Sequence, residues 1–588
     1  MRMLPTVSDI MLERLVAWGV RTIYGYGGEG SSGLESALTR ANDRVRWVRT
    51  SDEQAAAAMA FAHAKLTGEL GACLATSSSG AVHLLTGLHA AHTEHAAVVA
   101  ILGQSARMTG VDYHQDVDLH TLLSEVAPHR VHECQHPEQI RHVTDRALRI
   151  ALAERAISCL VVDVELQDQA ATAASAHPGY PSAGTGFHVS NVVPAHRDLQ
   201  QAAALLDGAA RVAMLVGAGA LNATSEVMAV AAVLGAGVAK ALLGKAVLPD
   251  ELPYVTGALG LLGTQPSLQM MKQCDALLVV GSSFPYIDFL PDPGQAATIQ
   301  IDISPRVLGS RYPVDIALHG DAALTLRALL PLLHRRHDRE WRDSIEGWVA
   351  AWWQLLERRA HTEAIPINPQ RVFWELSPRL PADAIVTADS GSCANWWARD
   401  LKVRAGMIAS LSGNLATPGP ALSYAVAAKF AFPNRPVIAA IGDGAFQLFG
   451  NGALTTITSH CKQWPDHRLV VVVLNTGDLG MMRWEQRMTA VPPKLDGFGD
   501  AHEFPYARYA NLIGLQGIGV DRPDRIGPAL DWALSADRPT VVEIHVDPAI
   551  HPVPPHIPVE QARQLLNAII HGEPDHSGRI PGSRTISA

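Results

Sequence analysis

At 588 residues the chain is too long for one hydrophobic core and predicts about three or four domains. Its 48 % hydrophobic and 18 % charged content excludes a disordered chain, and a net charge of −10 leaves no basic footprint for nucleic acid. The six cysteines (Cys73, Cys134, Cys159, Cys274, Cys393, Cys461) have no paired spacing, which predicts reduced, mostly buried thiols in a cytoplasmic protein.

The opening MRMLPTVSDIMLERL lacks an apolar signal core and reads as a capped helix. Apolar strand candidates at 20–25, 71–76, 97–102 and 159–164 alternate with helical stretches and define a first α/β segment, 1–170. Within it, RVRWVRTSDEQAAAAMAFAHAKLT (44–67) predicts a strand and then an Ala-rich helix with Glu53 in its first turn. Such a glutamate usually complements the helix dipole; the alternative is that it faces a cleft. A Pro/Gly/Ser-rich linker (171–190) leads to a second segment, 191–345, with strands RVAMLVGAGA, DALLVVGSS and ATIQIDI. The apolar region 201–244 is broken by Asp207, Arg211, Asn222 and Glu226, as a buried core segment is and a membrane span is not. A helical linker, 346–365, continues a Trp-rich stretch that begins near 341. The third segment, 366–550, carries AIVTADSG, PVIAAIGDG, RLVVVVLN and TVVEIHV. The tail, 551–588, is rich in Gly, Pro and Ser and has no apolar face for a membrane. Strands alternating with helices imply an α/β protein of three doubly wound parallel-sheet domains, the first and third open to being read as two copies of one architecture.

Residues 441–480 carry the densest signal. The strand PVIAAI runs into Gly442-Asp443-Gly444 and Ala445, a helix follows, and a second strand ends at Asn475 before a polar turn. In a βαβ unit both loops emerge at the carboxyl edge of the sheet, where ligands bind. The glycines admit a close ligand and Asp443 offers a hard oxygen, though Asp-Gly turns alone are common.

Together, the strand–Glu53–helix unit, the late GDG loop and the strings TGALGLLGT (256–264), GSSFPY (281–286) and IQIDISP (299–305) resemble the thiamine-diphosphate-dependent decarboxylases and oxidases. The likeness is nearest to pyruvate oxidases and the acetolactate synthase large subunit. It implies a pyrimidine-binding first domain, a central domain and a diphosphate-binding third domain. The cofactor would lie between the first domain of one subunit and the third of its partner, so a homodimer or homotetramer is implied. The substrate would be a small 2-oxo acid, decarboxylated and then oxidised or joined to a second carbonyl compound. Glu53 would hydrogen-bond the pyrimidine ring, from a desolvated position that raises its pKa. Mg²⁺ would bind Asp443, Thr476 and the Asp478 carbonyl; the family carries Asn where Thr476 stands. Gly391 and Ser392 (in TADSGSCANWWA), Gly442, Gly444, Ala445, Leu479 and Gly480 would border the diphosphate. Pro418 replaces a bulky residue that props the cofactor, and Ser423 stands where a proline is usual. His114 and Gln115 replace a Phe-Gln pair beside the substrate, His114 being either a substrate contact or an ordinary loop histidine. Ser77-Ser78-Ser79-Gly80 replaces a Gly-Pro-Gly turn. His89, His92 and His95 have metal-like spacing, but two of them match histidines of related oxidases in a helix-to-strand turn. Gly217, Gly219, Gly244-Lys245, Ser283 and Asp302 match flavin-contacting segments, which leaves FAD or an empty central fold as alternatives. Two competing readings remain: a non-catalytic relative acting as a binding or regulatory subunit, and a dinucleotide oxidoreductase, for which GAGALNATSE (217–226) lacks a third glycine.

Overall fold

The structure, a computed structural model, describes residues 4–41, 44–104, 117–171, 185–478, 481, 504–552 and 555. Three six-stranded sheets follow one another along the chain, and every registered pairing between neighbouring strands is parallel. The first contains β1 (Thr22–Tyr26), β2 (Arg46–Arg49), β3 (Gly71–Ala75), β4 (Val98–Gln104), β5 (Val131–Cys134) and β6 (Ile157–Asp163). The second contains β7 (Val212–Val216), β8 (Gly237–Lys240), β9 (Val255–Ala258), β10 (Ala276–Val280), β11 (Ala297–Asp302) and β12 (Ile316–His319). The third contains β13 (Ile385–Ala388), β14 (Ile408–Leu411), β15 (Val437–Gly442), β16 (Leu469–Asn475), β17 (Gln516–Val520) and β18 (Thr540–His545).

Counted from its own first strand, the first sheet runs 2-1-3-4-6-5 and the third repeats that order. The second runs 3-2-1-4-5-6, the order of dinucleotide-binding folds. Central strands such as β4, β7, β10 and β16 are buried along their whole length because helices cover both faces. Edge strands such as β2, β12 and β17 are partly exposed.

The Ala-rich run 55–60 has a packing reason. The helix Glu53–Thr67 lies between the helices Ser79–Thr93 and Ala421–Ala431, inside one apolar core shared by the first and third sheets. A methyl group at Gly87 would fall 2.5 Å from the Ala57 Cβ, so these helices touch almost backbone to backbone. Phe61 and Tyr424 close the contact edge to face at 5.6 Å. Among the described residues no helix is long and apolar enough to cross a membrane.

Candidate functional site

Glu53 is the first residue of its helix, but Asp52 is the cap, its Oδ1 accepting from the Ala55 N–H at 2.7 Å. Glu53 is thereby released from serving the helix end and is only 6 % exposed. Its carboxylate lies against Gly80, where a Cβ would sit 2.8 Å from Oε1. His83, one turn into the helix Ser79–Thr93, brings Nδ1 to 3.1 Å from Glu53 Oε2 while 58 % of its side chain is exposed. The imidazole therefore links a buried carboxyl to the open face. The sequence reading missed His83; its position three residues after Gly80, on the same helix, was the available signal.

The turn before that helix is strained. Ser78 has φ 58° and ψ −108°, a conformation open to glycine and costly for a residue with a Cβ. Ser78→Gly is expected to stabilise the protein by about 1 kcal/mol, read as a higher urea midpoint with unchanged slope.

At the third sheet, Asp389, Asp443 and Thr476 follow the carboxyl ends of the adjacent strands β13, β15 and β16, beside the point where strand order reverses. Asp443 is held from both sides. Its Oδ1 accepts from the Gly444 N–H at 2.9 Å, and its Oδ2 from the Thr476 and Gly477 N–H groups at 2.9 and 2.7 Å. Thr476 Oγ1 lies 3.2 and 3.1 Å from the two carboxylate oxygens and 2.6 Å from the Asp478 carbonyl. Burial pushes the Asp443 carboxyl up, against the pull of these bonds. Carboxylate, hydroxyl and carbonyl oxygens thus converge, a hard donor set that suits Mg²⁺. Among the described residues no group of three His, Cys, Asp or Glu side chains could hold a metal, His89, His92 and His95 included.

Asn475 faces the other way, donating to Glu543 Oε1 at 2.8 Å, while Glu543 Oε2 accepts from the Ala507 N–H. Tyr506 OH donates to the Asp443 carbonyl and accepts from Gln447 Nε2. After Asp443–Ala445 the helix passes through a π-helical turn, Phe446–Gly450, before Asn451–His460.

Asp389 ties the two remaining loops together. Its Oδ1 accepts from the Ser390 and Gly419 N–H groups at 2.8 and 2.7 Å, and its Oδ2 from Ala421 at 3.2 Å. Burial raises its carboxyl to about 6. Gly391 (φ +80°) has no atom within 4 Å of its absent side chain, so the turn before the helix Ser392–Arg399 has an open face. Pro418 is exposed on the second loop, whose neighbour Gly419 (φ +105°) leaves no room for a Cβ beside the Phe449 ring.

In the central domain, Gly217 and Gly219 lie where the loops after β7 and β10 meet. A Cβ on either would come within 2.3 or 2.8 Å of Gly281, so loop packing alone requires both glycines. Ser283 is exposed, and Asp302 accepts from the Ser304 N–H at 2.8 Å, with burial raising its carboxyl. Lys245 turns toward the third domain, donating to the carbonyls of Ala398 and Leu401. His114, Gln115, Leu479 and Gly480 lie outside the described residues, as do most of the 171–190 linker and the 551–588 tail.

Three family profiles match the chain in order: the N-terminal TPP binding domain of thiamine pyrophosphate enzymes over residues 5–122, their central domain over 199–329, and their C-terminal TPP binding domain over 389–544. Among curated proteins, the chain is 33 % identical to YdaP of Bacillus subtilis (strain 168), provisionally named as thiamine pyrophosphate-containing, with 92 % of each chain covered. It is 30 % identical to the acetolactate synthase isozyme 2 large subunit of Escherichia coli (strain K12), covering 91 % of this chain and 95 % of that one. It is 26 % identical to the pyruvate oxidase of Lactiplantibacillus plantarum, covering 91 % and 87 %.

Proposed function

Because the chain belongs to the thiamine pyrophosphate enzyme family, we propose that it decarboxylates a small 2-oxo acid using thiamine diphosphate held through Mg²⁺. The observation that carries the Mg²⁺ reading is the Thr476 hydroxyl, which spans the Asp443 carboxylate and the Asp478 carbonyl in the place of an asparagine. Thiamine diphosphate, when bound, supplies an electron sink for the carbon–carbon bond broken as carbon dioxide leaves.

The chain's own residues hold, orient and move protons. Asp443, Thr476 and Asp478 would hold Mg²⁺, leaving its other positions to phosphate oxygens. Gly391 and Ser392 at one helix start, with Gly442, Gly444 and Ala445 at another, would border the diphosphate, as would Leu479 and Gly480. Pro418, on the loop clamped by Asp389, would set the bend of the cofactor. Glu53 would hydrogen-bond the pyrimidine ring and relay its proton, and His83 orients that carboxyl and connects it to the open face. His114 and Gln115 would border the substrate.

Glu53 and Asp443 each have separate partners within the chain and share no hydrogen bond or ion pair. A second copy joining the first domain of one subunit to the third of the other completes the site, making a homodimer the smallest active unit.

Metal-stripped protein titrated with thiamine diphosphate, with and without Mg²⁺, tests the reading by calorimetry. Saturable binding that chelation abolishes and Mg²⁺ restores is the expected result; no binding at millimolar cofactor overturns it. Product analysis on a panel of 2-oxo acids, with and without added FAD, then separates oxidation from carboligation.

A further inference from the structure

One short segment of the central domain touches the loop that carries Pro418 and the far end of the helix that follows the Gly391 turn. Beyond β8 the chain makes a turn, Leu242–Gly244, followed by Lys245 and, five residues on, Asp250. Leu243 packs on the loop that carries Pro418: a Cβ on Gly413 would fall 2.5 Å from the Leu243 side chain. Lys245 is 4 % exposed, and its Nζ donates to the carbonyls of Ala398 and Leu401 at 3.1 and 2.8 Å. The ammonium also lies 5.5 Å from the centre of the Trp397 ring. Asp250 completes the grip: its Oδ2 is 3.4 Å from Lys245 Nζ and accepts from the Val403 N–H at 2.8 Å, and its Oδ1 pairs with Lys240.

We propose that Lys245 is a positioning residue for the thiamine diphosphate site, holding the helix Ser392–Arg399 by its carboxyl end so that its amino end, at Gly391 and Ser392, faces the diphosphate. The inference rests on the function proposed above. Carbonyls at a helix end have no partner within the helix, and a cation there both donates to them and complements the dipole. An eight-residue helix is about 12 Å long, so a tilt released at one end displaces the other. A buried ammonium also fixes direction, because its loss leaves carbonyls that water cannot reach. Leu243 adds a steric stop on the second loop, so the central domain sets the relation of the two loops whether or not it binds a flavin.

The test compares Lys245→Met with Val230→Ala, a core truncation in the central domain that touches neither loop. Asp250 keeps Lys240 and the Val403 N–H as partners in Lys245→Met, so the central domain retains its own charge pair. Thiamine diphosphate affinity is measured by calorimetry with Mg²⁺ present, and hydrogen exchange of the 391–403 amides is followed in cofactor-free protein. The inference requires that Lys245→Met raise Kd about tenfold and speed exchange at 391–403, with Val230→Ala changing neither. A Kd within about threefold of wild type, unaltered exchange, or an equal rise in Val230→Ala overturns it. Should Lys245→Met fail to fold, Lys245→Gln, whose shorter polar head does not span both carbonyls, is read by the same criteria. Failure of the wild-type protein to bind thiamine diphosphate would count against the proposed function instead, and the exchange comparison would still decide whether Lys245 holds the helix.

Discussion

Glu53→Gln is expected to lower turnover of a 2-oxo acid by about 10³-fold or more while thiamine diphosphate still binds with near-wild-type affinity. Glutamine keeps the shape of the side chain and its contact with Gly80, but it has no proton to deliver at neutral pH. Among the described residues the carboxylate's one polar side-chain contact is to His83, so little else there depends on its charge. His83→Gln is expected to act more weakly, by about tenfold to a hundredfold, because the carboxyl survives and only its orientation and its link to solvent are lost. Steady-state kinetics at saturating cofactor check both. Undiminished turnover in Glu53→Gln would remove that residue from the chemistry.

Two inactive variants are expected to restore activity when they share a dimer. Asp443→Asn removes the carboxylate proposed to hold Mg²⁺ and is expected to weaken Mg²⁺-dependent cofactor binding about a hundredfold or more. Paired with Glu53→Gln in a heterodimer isolated through two different affinity tags, it leaves one site with both wild-type groups and one with neither. About half the wild-type activity is then expected, as two-fold symmetry requires when each site draws on both chains. A site built within one chain would leave this heterodimer inactive. Analytical ultracentrifugation of the same sample establishes that the species assayed is a dimer.

The parts of the fold legible in the sequence are those whose physics is local. Central strands such as LVVVVLN and VAMLV are covered on both faces and appear as unbroken apolar runs. The strands that escaped the sequence reading are mostly at sheet edges: Val131–Cys134, Val255–Ala258, Ile316–His319, Ile408–Leu411 and Gln516–Val520. An edge strand needs only part of its surface apolar, so segments such as VHEC and QGIGV carry no clear period. Gly237–Lys240 is internal yet ends in a lysine, which marks an exposed end until Asp250 is found beside it.

The same division runs through the site. The sequence by itself determined the three-domain α/β organisation, the acidic turn after β15 and the glutamate at the start of the Ala-rich helix, because each is a contiguous pattern. It also placed Asp443, Thr476 and Asp478 within reach of one another, since βαβ connectivity delivers both loops to one sheet edge. Only the tertiary structure decided which partner each buried polar group takes. Asp389 reaches Gly419 and Ala421 about thirty residues on, His83 meets Glu53 across two helices, and Lys245 leaves its own domain for the carbonyls of Ala398 and Leu401. A buried charge must find some partner, which is a general rule, but which partner depends on how helices and loops distant in sequence are packed together.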